Sequence, residues 1–140
     1  MSIEENKALI RRFVEAVNTG DEATLTQIIA DDFTICSVAN VGTPDGPRRV
    51  DPETIIRGFT KRLQAVPNFR ALIIDLIAEG DKVVALGRDT GTPAVEYRGI
   101  PPSGKSFDVT WVDVYRIRDG QIAEMVVEMN PDTARKQLAG

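Results

Sequence analysis

Histidine is absent from the 140-residue chain, and cysteine occurs once, at Cys36. Without histidine there is no Ser-His-Asp relay, no imidazole acid–base catalyst and no histidine–metal site. With a single thiol there is no intrachain disulfide, and a zinc centre lacks most of its usual ligands. One cysteine fits a reducing, cytoplasmic setting. Cys36 sits between Ile35 and Ser37 with no basic neighbour to lower its pKa, so it reads as a small buried residue rather than a nucleophile. Long apolar runs are missing too. No segment approaches a membrane span, and MSIEENKALIRR does not have the pattern of a signal peptide. The net charge is −4 and the pI about 4.9. The basic residues are scattered, with short pairs at Arg11-Arg12, Arg48-Arg49 and Lys61-Arg62 that read as solvated helix faces and a loop. A nucleic-acid partner would favour a basic stripe, and none is visible. Neither GxGxxG nor GxxxxGK[ST] occurs, so there is no nucleotide fingerprint. Any chemistry must rest on carboxylates, tyrosine, arginine, lysine, amides or the lone thiol.

What the chain does have is enough apolar material for a core: 42% of its residues are hydrophobic. That composition and length predict one domain over residues 1–140. Apolar residues at three- and four-residue steps predict a helix over 3–18, capped by Ser2 and ended at Gly20. A short second helix, EATLTQIIA, follows Asp21, and a strand, FTICSVA, follows Asp32. Residues 40–51, with two glycines and two prolines, read as a loop long enough to lie over a pocket. Asp51 and Pro52 open a third helix, PETIIRGFTKRLQAV, with Ile55, Ile56, Phe59, Leu63 and Val66 as its apolar positions. Strands are predicted at FRALIIDLIAEG and KVVALGRDTG, at SFDVTWVDVYRIR and at QIAEMVVEM. A shorter one is expected at AVEYR. The tail PDTARKQLAG reads as a short outer helix or a frayed end. Helices first and an antiparallel meander afterwards give the α+β class, with three N-terminal helices on one face of a curved antiparallel sheet.

The phrases NKALIRRFVEAVNTGDEATLTQIIADDF, DLIAEGDKVVALGRDTGT and YRGIPPSGKSFDVTWVDVYRIRDGQIAEM, in that order, resemble the SnoaL-like polyketide cyclase branch of the NTF2-like superfamily. The resemblance implies a cone in which helices and the concave sheet face enclose an apolar pocket. The outer sheet face would be available for a homodimer. It also implies cofactor-independent chemistry on a hydrophobic small molecule. Relatives include cyclases, isomerases, epoxide hydrolases and proteins without known catalysis, so the fold alone does not choose among them.

Strand alternation sorts the faces. On 107–117 the set with Trp111, Asp113 and Tyr115 points inward, an aromatic face interrupted by one carboxylate. On the last strand the apolar set Ala123, Met125, Val127 and Met129 points inward. The resemblance places the cyclases' catalytic acid, and the second aspartate of epoxide-hydrolase relatives, at the position of Val127. Met125 stands where a histidine is frequent. A one-residue slip in register would make Glu128 the nearest acid. Asp113 is the remaining inward carboxylate. Desolvation there raises its pKa toward that of a general acid or base, and the alternative is a structural pairing with Arg88 or a tyrosine hydroxyl. Both phases of 82–91 are partly apolar. With Val84 and Leu86 inward, Arg88 reaches the pocket, where epoxide-hydrolase relatives hold an arginine; in the opposite phase Asp89 does. The expected catalytic set is Asp113, with Tyr115 or Arg88 steadying an oxyanion. Trp111, Met125, Val127 and Met129 form the expected substrate wall, joined by Phe13, Val17 and Phe59 from the helices. The expected activity is acid–base cyclisation or isomerisation of a polyketide-like intermediate. Epoxide opening and a non-catalytic binding module are the alternatives.

Overall fold

Ser2 starts the first helix by a reciprocal cap. Its Oγ accepts from the Glu5 backbone N–H at 3.1 Å, and its own N–H donates to the Glu5 carboxylate at 3.1 Å. The structure is a computed structural model that describes residues 2–140, apart from the side chains of Met129 and Pro131. Helix α1 (Ile3–Thr19) ends at Gly20, whose φ of 68° supplies the left-handed turn. Its apolar stripe, including Leu9, Ile10, Phe13, Val14 and Val17, is buried. Asn18 ties the end of this helix to the sheet. Its side-chain amide accepts from Ala71 N–H at 2.7 Å and donates to Ala71 C=O at 2.8 Å.

Helix α2 (Glu22–Ile28) is capped by Asp21 and runs directly into strand β1 (Ile29–Ser37). This strand begins earlier than its sequence suggests, because Ile29 and Ala30 already lie in extended backbone. The 40–51 segment is not wholly irregular. A short 3-10 turn (Val38–Asn40) precedes strand β2 (Arg48–Arg49), which pairs antiparallel with β1. Helix α3 (Pro52–Ala65) follows, then β3 (Arg70–Glu79), β4 (Lys82–Gly91), β5 (Phe107–Arg118) and β6 (Gln121–Met129). The turn between β5 and β6 has positive φ at Asp119 and Gly120, 52° and 74°, as a two-residue hairpin requires. The AVEYR segment forms no strand. Tyr97 and Ile100 make an isolated bridge, and the Tyr97 ring stacks on Phe107 with centroids 5.4 Å apart.

The strands form one curved, unclosed sheet in the order β2-β1-β6-β5-β4-β3. The expected antiparallel sheet needs one correction: β1 and β6 run parallel. A first strand reached by way of α2 and a last strand reached from a hairpin arrive side by side in the same direction. The tail does form a helix, α4 (Pro131–Ala139), with Ala134 and Leu138 buried. Strand β6 ends opposite Trp111, so the first residues of β5 have no strand on that side. Gln137 of α4 takes its place. Its amide accepts from Asp108 N–H at 2.7 Å and donates to Asp108 C=O at 2.9 Å.

The inner faces of β4 and β5 fit by size. Across the ladder Val83 meets Tyr115, Ala85 meets Asp113, Gly87 meets Trp111, Asp89 meets Val109, and Gly91 meets Phe107. Small residues on one strand leave room for large ones on the next. A Cβ on Gly87 would lie 2.1 Å from the Trp111 ring, so only glycine lets that indole lie flat on the sheet.

Candidate active site

A cavity of about 200 Å³ lies between the concave face and the helices. Phe13, Val14 and Val17 of α1 form one wall, and Ile55, Phe59 and Arg62 of α3 another. The α3 trio is spaced at four and three residues, so it lies along one helix face. The sheet contributes Ile35, Ala71, Asp89, Trp111, Asp113, Tyr115, Met125 and Val127. Apart from four polar side chains and the indole N–H, the lining is apolar.

Asp113 lies between Ala85 and Val127 on its two neighbouring strands, neither of which offers a polar group. Among the described residues its one side-chain hydrogen bond comes from Tyr115 O–H, which donates to Oδ2 at 2.9 Å. Burial raises the Asp113 pKa from 3.8 to about 7; the Tyr115 hydrogen bond opposes this, and the charge of Asp89 adds to it. Tyr115 is 1% exposed and edge-on to Phe13, with centroids 5.8 Å apart. Its burial, together with the Asp113 charge, pushes its pKa well above the usual value, so it stays a donor.

Asp89 is the second carboxylate. It is 8% exposed and accepts a hydrogen bond from Trp111 Nε1 at 2.7 Å. Burial raises its pKa, while the Arg62 charge and the indole bond lower it. Arg62 enters from α3. Its guanidinium carbon lies 3.9 Å from the Phe69 ring centroid and 5.5 Å from that of Phe59. Burial lowers its pKa and the Asp89 charge raises it again; a guanidinium in such a site still keeps its charge.

This is an apolar pocket between helices and a concave sheet, with polar groups few and grouped. A family model for SnoaL-like polyketide cyclases matches residues 7–138. The chain belongs to the SnoaL-like polyketide cyclase family. Among solved structures, IdmH of Streptomyces antibioticus, described as a candidate polyketide cyclase, is 30% identical with a TM-score of 0.82, over 96% of this chain and 99% of that one. TsrD of Streptomyces laurentii is 26% identical, also with a TM-score of 0.82, over 99% and 97%. AclR of Streptomyces galilaeus, described as a candidate hydroxylase, shares the fold at 24% identity with a TM-score of 0.82, over 99% and 98%. Comparison with curated protein sequences gives no match.

Within this SnoaL-like cavity lie Asp113, Tyr115, Trp111, Met125, Val127, Phe13, Val17 and Phe59. The Met129 side chain, expected in the wall, lies outside the described residues. Arg88 is corrected. It is on the outer sheet face, where Nε and Nη2 donate to the two Asp108 oxygens at 3.0 and 2.8 Å. Strand alternation then turns Asp89 inward. From Met125 to Val127 the phase of β6 is as expected: Val127 lies directly across from Asp113, and Glu128 is exposed, but a register shift pairs Ile122, outside the expected inward set, with Ile117 of the inner face, where it is fully buried.

Two charged cavity residues, Asp89 and Arg62, lie outside the expected catalytic set. Asp89 is the inward residue of the second phase that the sequence leaves open for this strand. The size match of Ala85, Gly87 and Gly91 to the bulky face of β5 was the signal for it. Arg62, beside Lys61, reads in the sequence as half of a solvated pair. Its spacing of seven from Ile55 and three from Phe59 puts it on the apolar stripe, and that was the signal.

Proposed function

We propose that the cavity performs cofactor-independent acid–base chemistry on a hydrophobic, polyketide-like intermediate, either ring closure or isomerisation. The observation that carries this reading is Asp113: a carboxyl in an apolar cavity, with a pKa of about 7 and one hydrogen bond, from a tyrosine that cannot readily lose its proton. Near neutral pH such a group is populated in both forms, as a proton carrier must be. As a carboxylate it takes the proton from a carbon next to a carbonyl. As the acid formed it returns that proton to the product carbon or to a leaving oxygen. Tyr115 holds the carboxyl in place throughout. Trp111, Met125 and Val127 shape the substrate and keep water out. A bicyclic 1,3-diketone, 2-acetyl-1-tetralone, tests the first step through its α-proton. In deuterated water the protein is expected to accelerate exchange, with Asp113→Asn at least roughly a hundredfold slower. Equal exchange rates in the two proteins would sink the reading.

Epoxide opening is favoured by one observation, the presence of Asp89 as a second carboxylate in the same cavity. There, protonated Asp113 would donate to the epoxide oxygen while Asp89 draws the proton from an attacking water. Oxygen-18 from water would then appear in a diol product; its absence assigns Asp89 to holding Trp111.

The outer sheet face belongs to the same proposal. Leu72, Ile77, Leu86 and Val112 are exposed on it, Ile77 to 63%. Such a patch favours self-association, and we assign it to a homodimer. The free, buried Cys36 suits a reducing, cytoplasmic setting.

A further inference from the structure

Each carboxylate in the cavity has its donor: Tyr115 O–H for Asp113 and Trp111 N–H for Asp89. Arg62 differs. Its Nε is buried with no hydrogen-bond partner, and its guanidinium enters no ion pair among the described residues. It is held instead by ring faces, Phe69 at 3.9 Å and Phe59 at 5.5 Å. Ring contacts fix the plane of a guanidinium but leave its N–H groups unused. Arg62 as a whole is half-buried, but an Nε–H shut away from water without a partner is costly, and Asp89 offsets that cost only through space. The stacking of Arg62 on Phe69 serves the fold, but that contact uses the guanidinium face and none of its N–H groups. Its surroundings are those of a receptor for an acidic oxygen: directional donors, an apolar rim, and low dielectric that strengthens the contact.

We propose that Arg62 is the anion-recognising group of the cavity, and that the ligands this protein takes are flat, largely apolar molecules carrying one acidic oxygen, a carboxylate or the enolate of a 1,3-dicarbonyl. The acidic oxygen sits against the guanidinium edge and the apolar body lies toward Trp111, Val127 and Met125. The assignment rests on the acid–base reading only in placing that oxygen in the same cavity as Asp113. It gives the enolate formed by proton removal a counter-charge, which Arg88, on the far face, cannot give.

The test compares 1-naphthoate with its neutral isostere 1-naphthamide by titration calorimetry at about pH 6, below the titration of Asp113. In the unsubstituted protein the naphthoate is expected to bind roughly tenfold tighter or more, as a charge-assisted pair implies. In Arg62→Gln that preference is expected to fall to roughly twofold or less, with naphthamide affinity retained, which also reports that the cavity is intact. Arg62→Lys keeps the charge but loses the fork, and is expected to keep part of the preference. In Asp113→Asn the preference is expected to persist while deuterium exchange into the diketone is lost. Equal binding of the two probes, no measurable naphthoate binding, a preference that survives in Arg62→Gln, or one that vanishes in Asp113→Asn overturns the assignment. Exchange that survives in Asp113→Asn removes the acid–base reading instead and leaves Arg62 as the anion site.

Discussion

Asp113 keeps its proton to about pH 7 because a single tyrosine hydroxyl is too little to replace the water it has lost. That has a cost in stability with a definite sign. Unfolded, the group ionises near 3.8; folded, near 7. Between these values the native state binds more protons, so this group makes stability fall as pH rises through that window. Asp113→Asn removes the effect and can still accept the Tyr115 hydroxyl proton. The variant is expected to gain little near pH 4 and most above pH 7, on the order of a few kcal/mol. Urea midpoints of both proteins at about pH 5 and pH 8 check this; a gain no larger at pH 8 contradicts a desolvated carboxyl. The Val127 position gives a converse test. Val127→Asp would set a second carboxylate directly across the ladder. Like charges sharing a site push one proton affinity up, so carboxyl-carbon NMR is expected to show one group titrating above pH 7. Two groups titrating near 4 would mean the cavity is wet.

Legibility differs by element, for physical reasons. Strand β5 and the part of β6 beyond its register shift could be phased from the sequence because one face of each is apolar and the other carries charges such as Arg116 and Glu124, which pair on the outside; the shift that turns Ile122 inward leaves no mark on the alternation. Strand β4 could not, because Val84 and Leu86 on its outer face are as apolar as Val83 and Ala85 on its inner one. The outer apolar residues follow from an uncovered sheet face, which local alternation does not register. The parallel β1–β6 pair was invisible, since nothing local to either strand selects a partner so distant in sequence. Arg62 was hidden by residue type alone: a charged residue on a helix is usually solvated, and here ring stacking overrode that preference. At this scale Gly87→Ala is the sharpest probe. Its Cβ would fall 2.1 Å from the indole, so Trp111 must tilt and release Asp89. A loss of about 1–3 kcal/mol is expected, with a red-shifted tryptophan emission, checked by urea unfolding followed by fluorescence. Gln137→Leu removes the side chain that completes the β5 edge and is expected to cost about 1–3 kcal/mol, with faster amide exchange across α4 and at Asp108. Unchanged exchange at Asp108 would show that its N–H is satisfied elsewhere.

At the scale of the molecule, the concave face is covered by helices and the convex face is not. If the convex face is the dimer contact, a charge placed on its exposed apolar patch should be felt at once. Ile77→Asp is expected to give a monomer by light scattering, with Trp111 emission unchanged because the cavity lies on the other face. A wild-type monomer at micromolar concentration would leave the patch without that use.

The parallel pair has a consequence for how the chain is made. Ile35 of β1 is matched to Met125 of β6, about ninety residues later, and both line the cavity. At synthesis rates of roughly 5–20 residues per second, the first strand waits on the order of 5–20 s for its neighbour. Throughout that interval the greasy lining of the future pocket, from Phe13 to Phe59, has no floor to close on. The same surface that will later hold a substrate is, on the ribosome, apolar area exposed to aggregation until the last strand arrives.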